Sequence, residues 1–156
     1  MSETGDLQRI VTDHGDSISY RRCKFSTMLP KAYRYTAGHH WLAEIAPGLW
    51  RVGLTRFALR MLGDFVEMHL HVQPGSRVHV GDEIGWYEGL KARTDLFCVA
   101  EGVFERGNPG LSDPREDPYG AGWLYEVRGN PDPQSFDAQA YIALLDATID
   151  KLQQDD

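Results

Sequence analysis

The chain has 156 residues, of which 42% are hydrophobic and 11% aromatic, a composition sufficient for one packed domain. Its formal net charge of −7 argues against binding to nucleic acid or to anionic lipid. No run of about 18 apolar residues occurs, so no membrane-spanning helix is expected.

The first 22 residues are polar, with scattered apolar positions and no sustained period. They are predicted to form a flexible arm, with at most one short strand over 17–20, ahead of a single domain over 23–156. The acidic start lacks the basic residues and apolar run of a secretory signal, which favours a cytoplasmic protein. In that compartment Cys23 and Cys98 are expected to be reduced thiols.

From residue 33 onward, alternating apolar and polar residues and frequent turn signals predict an antiparallel β domain. The predicted strands are 33–36, 40–46, 49–55, 65–72, 77–80, 83–88, 94–100, 102–106 and 122–127. Thr55 is a good N-cap and Gly63 a good helix terminator, which predicts a short helix over 56–62. Apolar residues at three- and four-residue spacing predict a C-terminal helix over 135–152. Segment 108–117, rich in Pro, Gly, Asn and Asp, is predicted to be loop.

The segment with the clearest chemical potential is a predicted hairpin that carries Lys91 at or near its tip. Two strands flank the residues Gly-Leu-Lys-Ala-Arg at 89–93. A lysine at such a position is exposed and reachable by a modifying enzyme. A single exposed lysine is usually only a solvated charge, so the residues around Lys91 have to show whether it is a modification site.

That context resembles the lipoyl-attachment hairpin of glycine cleavage H proteins, in which Glu-Ser-Val-Lys-Ala precedes a Ser-Asp-Leu-Tyr type strand. Glu88, Lys91, Ala92 and Asp95-Leu96-Phe97 match this pattern. Three further blocks resemble the family in order and spacing. They are Tyr-Thr-Ala-Gly-His-His-Trp at 35–41, Val-Gly-Leu-Thr-Arg-Phe-Ala at 52–58 followed by Leu-Gly-Asp at 62–64, and Asp-Pro-Tyr-Gly-Ala-Gly-Trp-Leu at 117–124.

The resemblance implies a mainly β, barrel-sandwich hybrid fold of the lipoyl-domain kind, with a short internal helix and a C-terminal helix. It also implies lipoic acid joined to Lys91 by an amide bond, attached by a lipoate ligase or transferase. A biotin carrier is disfavoured because biotin hairpins place Met on both sides of the lysine. A non-catalytic, monomeric carrier protein is expected, and no metal site is predicted.

Three further residues are candidates for contact with the arm. Glu88 could steer the lipoylating enzyme or contact the arm, or could be a solvated carboxylate at a strand end. His39 could line a groove that shelters the arm, although a hydrogen-bonded histidine at a strand start is the favoured interpretation. Asp95 matches the lipoyl pattern on the descending strand.

Departures from the family pattern cluster around the tip, where Gly89, Leu90 and Arg93-Thr94 replace the usual Ser, Val and Val-Ser. This pattern is similar to the lipoate-binding proteins of bacterial sulfur oxidation, which work with a heterodisulfide-reductase-like complex. The expected function is therefore a sulfur carrier for such a complex. The alternative is a true H protein that serves glycine decarboxylase, aminomethyltransferase and dihydrolipoamide dehydrogenase. An unmodified binding module is the alternative of another class.

Overall fold

The computed structural model describes residues 9–154, which form a mainly β protein with twelve strands and two α-helices. The strands are β1 (Arg9–Asp13), β2 (Ser17–Arg22), β3 (Phe25–Pro30), β4 (Arg34–Tyr35), β5 (His40–Ala46), β6 (Leu49–Leu54), β7 (Phe65–Leu70), β8 (Arg77–Val78), β9 (Glu83–Gly89), β10 (Arg93–Phe97), β11 (Ala100–Gly107) and β12 (Tyr125–Pro131). The helices are α1 (Arg56–Leu62) and α2 (Ala138–Gln154), and a single 3-10 turn covers Pro114–Glu116.

All neighbouring strands are antiparallel and build three sheets. Six strands lie in the order β4-β5-β6-β12-β11-β8, three in the order β10-β9-β7, and three in the order β1-β2-β3. The six-stranded sheet and the β10-β9-β7 sheet enclose one hydrophobic core. Its members include Leu42, Val52, Ile84, Tyr87, Leu96, Phe104, Tyr125 and Val127. This packing of two sheets is consistent with the predicted barrel-sandwich hybrid.

The N-terminal segment differs from its sequence prediction, because residues 9–22 form two paired strands and not a flexible arm. Strand β2 buries Ile18 and Tyr20, which pack with Leu29 of β3 and Tyr141 of α2 in a second core. The Tyr20 hydroxyl donates a 2.7 Å hydrogen bond to Asp146 of α2. Two buried side chains on one short strand are too weak a period to read from sequence. Positions 1–8 of the predicted arm lie outside the described residues.

The predicted helices are confirmed. Helix α1 begins after Thr55, whose hydroxyl accepts from the Ala58 N–H at 3.4 Å, and it ends at Gly63 with φ of 81°. Such a positive φ is the conformation that favours glycine at a helix end. The last strand begins at Tyr125, three residues later than predicted. Within residues 9–154, no helix is both long enough and apolar enough to cross a membrane.

Candidate functional site

Lys91 lies at the tip of the β9–β10 hairpin, as predicted. Arg93 pairs with Glu88 across the two strands, and the Gly89 N–H donates a 2.9 Å hydrogen bond to the Ala92 carbonyl to close the turn. Leu90, Lys91 and Ala92 are all exposed. The hairpin therefore projects the Lys91 amine into solvent.

The backbone of the tip is tied to the end of α1. The Leu90 N–H donates to the Asp64 carbonyl at 2.8 Å, and the Lys91 N–H donates to the Leu62 carbonyl at 2.9 Å. Gly63 lies against the stem of Lys91, because a Cβ built on Gly63 would be 2.8 Å from Lys91 Cγ. The arrangement fixes the base of the lysine while its amine stays free.

Gly89 is required by the same close approach. A Cβ built at this position would lie 2.1 Å from the Leu62 carbonyl oxygen, which is backbone and cannot rotate away. We expect Gly89→Ala to push the hairpin off α1 and to lower the free energy of unfolding by about 2 kcal/mol. Urea unfolding should show this loss.

The matched control for that substitution is Gly110→Ala, because Gly110 lies in a loop where a Cβ would meet only Asn108 Oδ1 at 3.8 Å. Its effect should stay within about 0.5 kcal/mol. Equal costs for the two variants would contradict the close packing of the hairpin on the helix.

A groove of about 190 Å³ lies between α1, β10 and the loop before β5. Its apolar lining residues are Leu54, Phe57, Ala58, Met61, Leu62 and Leu96. Because Leu62 also accepts the Lys91 N–H, the groove begins beside the hairpin tip. An apolar group attached to Lys91 would find a matching surface there.

Two histidines line this groove, and they differ in their hydrogen bonding. His39, with φ of 68°, shares a 2.8 Å hydrogen bond between its Nδ1 and the Tyr141 hydroxyl, and burial lowers its pKa. His40 is only 9% exposed, and among residues 9–154 neither of its ring nitrogens has a hydrogen-bond partner. Burial lowers the pKa of His40 to about 4, with a smaller contribution from His39. The imidazole of His40 is therefore neutral at physiological pH.

The structure brings some of the predicted residues together and separates others. His39 and the exposed Asp95 both line the groove, whereas Glu88 is half-exposed on β9 opposite Arg93. The Arg93 guanidinium is 4.1 Å from the Trp86 ring centroid, so this charge is held against the hairpin. Cys98 is buried and burial raises the pKa of its thiol, which is typical of an unreactive cysteine.

Sequence reasoning missed His40 and the contact between the hairpin and α1. The groups that accept from the tip are backbone carbonyls, which have no signature in the sequence. The glycines at 63 and 89 were the available signal, since glycines facing each other commonly mark a close approach of two backbones.

A family model described as "Glycine cleavage H-protein" matches residues 33–146. The chain belongs to this family. The glycine cleavage system H protein of Cronobacter sakazakii is 34% identical over 125 residues, covering 76% of this chain and 96% of that relative. An Escherichia coli glycine cleavage system H protein is 33% identical over the same length, with the same shares covered.

A solved structure, the glycine cleavage system H protein of Mycobacterium marinum, superposes with a TM-score of 0.65 at 35% identity. The matched region covers 74% of this chain and 97% of the chain in that structure. These relatives favour the alternative of a true H protein over the expected sulfur carrier, which receives no support from them. The family match begins at residue 33, so strands β1 to β3 lie ahead of it.

Proposed function

We propose that the chain is the H protein of a glycine cleavage system and carries an aminomethyl group on a lipoyl arm attached to Lys91. The observation that carries this proposal is the exposed amine of Lys91 on an anchored hairpin tip, beside an apolar groove. The partners would be glycine decarboxylase, aminomethyltransferase, dihydrolipoamide dehydrogenase and a lipoate ligase or transferase. We keep the cytoplasmic location as part of this proposal.

The residues around Lys91 suit such a group. A lipoyl amide removes the lysine charge and leaves a largely apolar chain with a reach of roughly 10–15 Å. Met61, Phe57 and Leu96 offer an apolar surface that would exclude water from its end. When bound, the lipoyl group supplies a dithiolane that opens and closes by thiol exchange.

The protein's own role would be to position the arm, and we assign it no catalytic residue. The hydrogen bonds to Leu62 and Asp64 hold the backbone at the base of the arm. The arm would therefore reach its partners by rotation about the bonds of the Lys91 side chain and of the lipoyl group. Asp95, His39 and His40 line the groove, and we propose that these polar side chains contact the cargo. Glu88, at the start of the turn, would be available to a lipoylating enzyme.

The experiment is lipoylation followed by a partner assay. Purified chain treated with lipoate, ATP and a lipoate ligase should gain about 188 Da, the mass of one lipoyl amide. The product should then support exchange of the glycine carboxyl carbon with bicarbonate by glycine decarboxylase. No mass gain would favour an unmodified binding module, and a mass gain without exchange would exclude glycine decarboxylase as the partner.

A further inference from the structure

A basic, partly apolar surface lies next to the arm and is built in part by the segment that precedes the family match. The turn between β2 and β3 places Lys24 and Phe25 beside Arg56 and Arg60 of α1, around a depression of about 360 Å³. We call this the basic depression. Its charge is opposite in sign to the chain's net charge of −7.

Three of its cations have no carboxylate partner among the described residues, although the Arg60 guanidinium donates a 2.9 Å hydrogen bond to the Lys24 carbonyl. Within residues 9–154, no carboxylate lies within ion-pair distance of Lys24, Arg56 or Arg60. The fourth cation of the basic depression, Arg115, is already paired with Asp64 at 2.6 Å and Asp113 at 2.9 Å. Of the residues described, no Asp or Glu lines the basic depression.

A second depression, of about 460 Å³, continues from the first and adds apolar contact area. It shares Lys24, Phe25 and Arg60 with the basic depression and extends over Met61 and Leu152. Met61 is 48% exposed and Leu152 41% exposed, so both side chains can contact a partner. An apolar centre within a charged rim is the usual composition of a protein–protein interface.

This surface is continuous with the groove beside Lys91. Met61 lines both the second depression and the groove beside Lys91. Arg115 bonds the side chain of Asp64, whose carbonyl in turn accepts the Leu90 N–H of the hairpin tip. A molecule seated on the depressions would therefore lie next to the base of the arm.

We propose that the basic depression and its apolar extension dock an acidic face of an enzyme that acts on the arm, an inference that rests on the proposed function. Opposite charges around an apolar contact would orient the two proteins so that the arm enters the partner's active site. A protein is favoured over a membrane or nucleic acid because the remainder of the chain is acidic and would repel either polyanion. Strands β1 to β3 would then be a docking element added to the carrier.

The test is charge reversal at two positions whose side chains make no bonds within the described protein. Lys24→Glu combined with Arg56→Glu keeps the Lys24 carbonyl that accepts from Arg60 and the Arg56 N–H that donates to Tyr119. The matched control, Arg77→Glu combined with Arg128→Glu, makes the same charge change on strands β8 and β12. Surface ion pairs such as Arg128–Glu105 contribute little to stability, so both variants should fold.

Each protein is lipoylated, its mass is confirmed, and its KM is measured with glycine decarboxylase, aminomethyltransferase and dihydrolipoamide dehydrogenase. We expect the Lys24/Arg56 variant to raise KM about tenfold for at least one enzyme, with kcat unchanged. The wild-type KM should rise with ionic strength, and the variant should lose most of that dependence. Reduction of the arm by a small phosphine should be equal in all proteins.

The outcomes separate this docking from the proposed function. Wild-type turnover with the same KM in both variants would overturn the docking alone. A wild-type chain that accepts no lipoyl group would overturn the proposed function and the docking with it. Wild-type binding to phosphatidylserine vesicles that is lost in the Lys24/Arg56 variant, with KM unchanged, would assign the surface to lipid instead.

Discussion

Lys91→Arg should abolish lipoylation and all carrier activity while leaving the fold intact. The guanidinium group stays protonated and does not act as an acyl acceptor, so no mass gain follows treatment with lipoate ligase. Stability should change by less than about 0.5 kcal/mol, since the side chain is exposed and its backbone bond to Leu62 remains. Intact mass, glycine decarboxylase exchange and urea unfolding measure the three quantities.

Lys24→Arg is the control for that substitution, because Lys24 is also exposed and also lies on a turn between two strands. It should gain the same mass as the wild type. A Lys91→Arg protein that still gained a lipoyl group would show that the modifying enzyme uses another lysine. The hairpin would then have no role as the attachment site.

The second large effect is a loss of stability in mild acid, caused by His40. Its pKa in the folded protein, about 4, lies below the ordinary value of 6.5, so the unfolded chain binds more protons between these limits. The stabilisation is complete above pH 6.5 and is lost as the pH falls towards 4. Between pH 7.5 and 4.5 the free energy of unfolding should fall by about 2.5 kcal/mol from this residue.

His40→Leu should remove most of that dependence. At pH 7.5 the variant should be as stable as the wild type or more so, because it replaces an unpartnered buried imidazole with an apolar side chain. The remaining slope belongs to His39, whose pKa burial also lowers, and to the carboxyl groups of Asp13 and Asp113, whose pKa values are lowered by hydrogen bonds from Lys31 and Arg115. His14→Leu, at an exposed position, is the control substitution. Urea unfolding at several pH values measures the dependence of the free energy of unfolding on pH. The same dependence in His40→Leu as in the wild type would contradict a buried neutral His40.

The hairpin and the short helix could be predicted because their signals are local. Thr55 and Gly63 mark the ends of α1 in the sequence itself, and alternation on each side of residues 89–93 marks the turn that presents Lys91. Strong local signals of this kind can be read from a short segment without knowledge of the tertiary packing. The same segments also carry the resemblance that led to the family.

The N-terminal sheet and the basic depression could not be predicted, because both depend on contacts between distant segments. Strand β2 is stabilised by β3 and α2, so its own sequence looks like an arm. Lys24 and Arg56 are far apart along the chain, and nothing in either segment indicates that they share one depression. Likewise, His40 reads as one more polar residue at a strand start until its surroundings are known.

The backbone bonds from the hairpin tip to Leu62 and Asp64 have a consequence for how the lysine is chosen for modification. These bonds join the turn to a second element, so the feature that a lipoate ligase would meet is a folded surface that includes residues 62–64 and not the hairpin sequence alone. An isolated peptide spanning the hairpin would lack half of that surface and should be a poor acceptor. On the proposed function, folding would therefore precede acylation, and unfolded copies of the chain would not receive the lipoyl group.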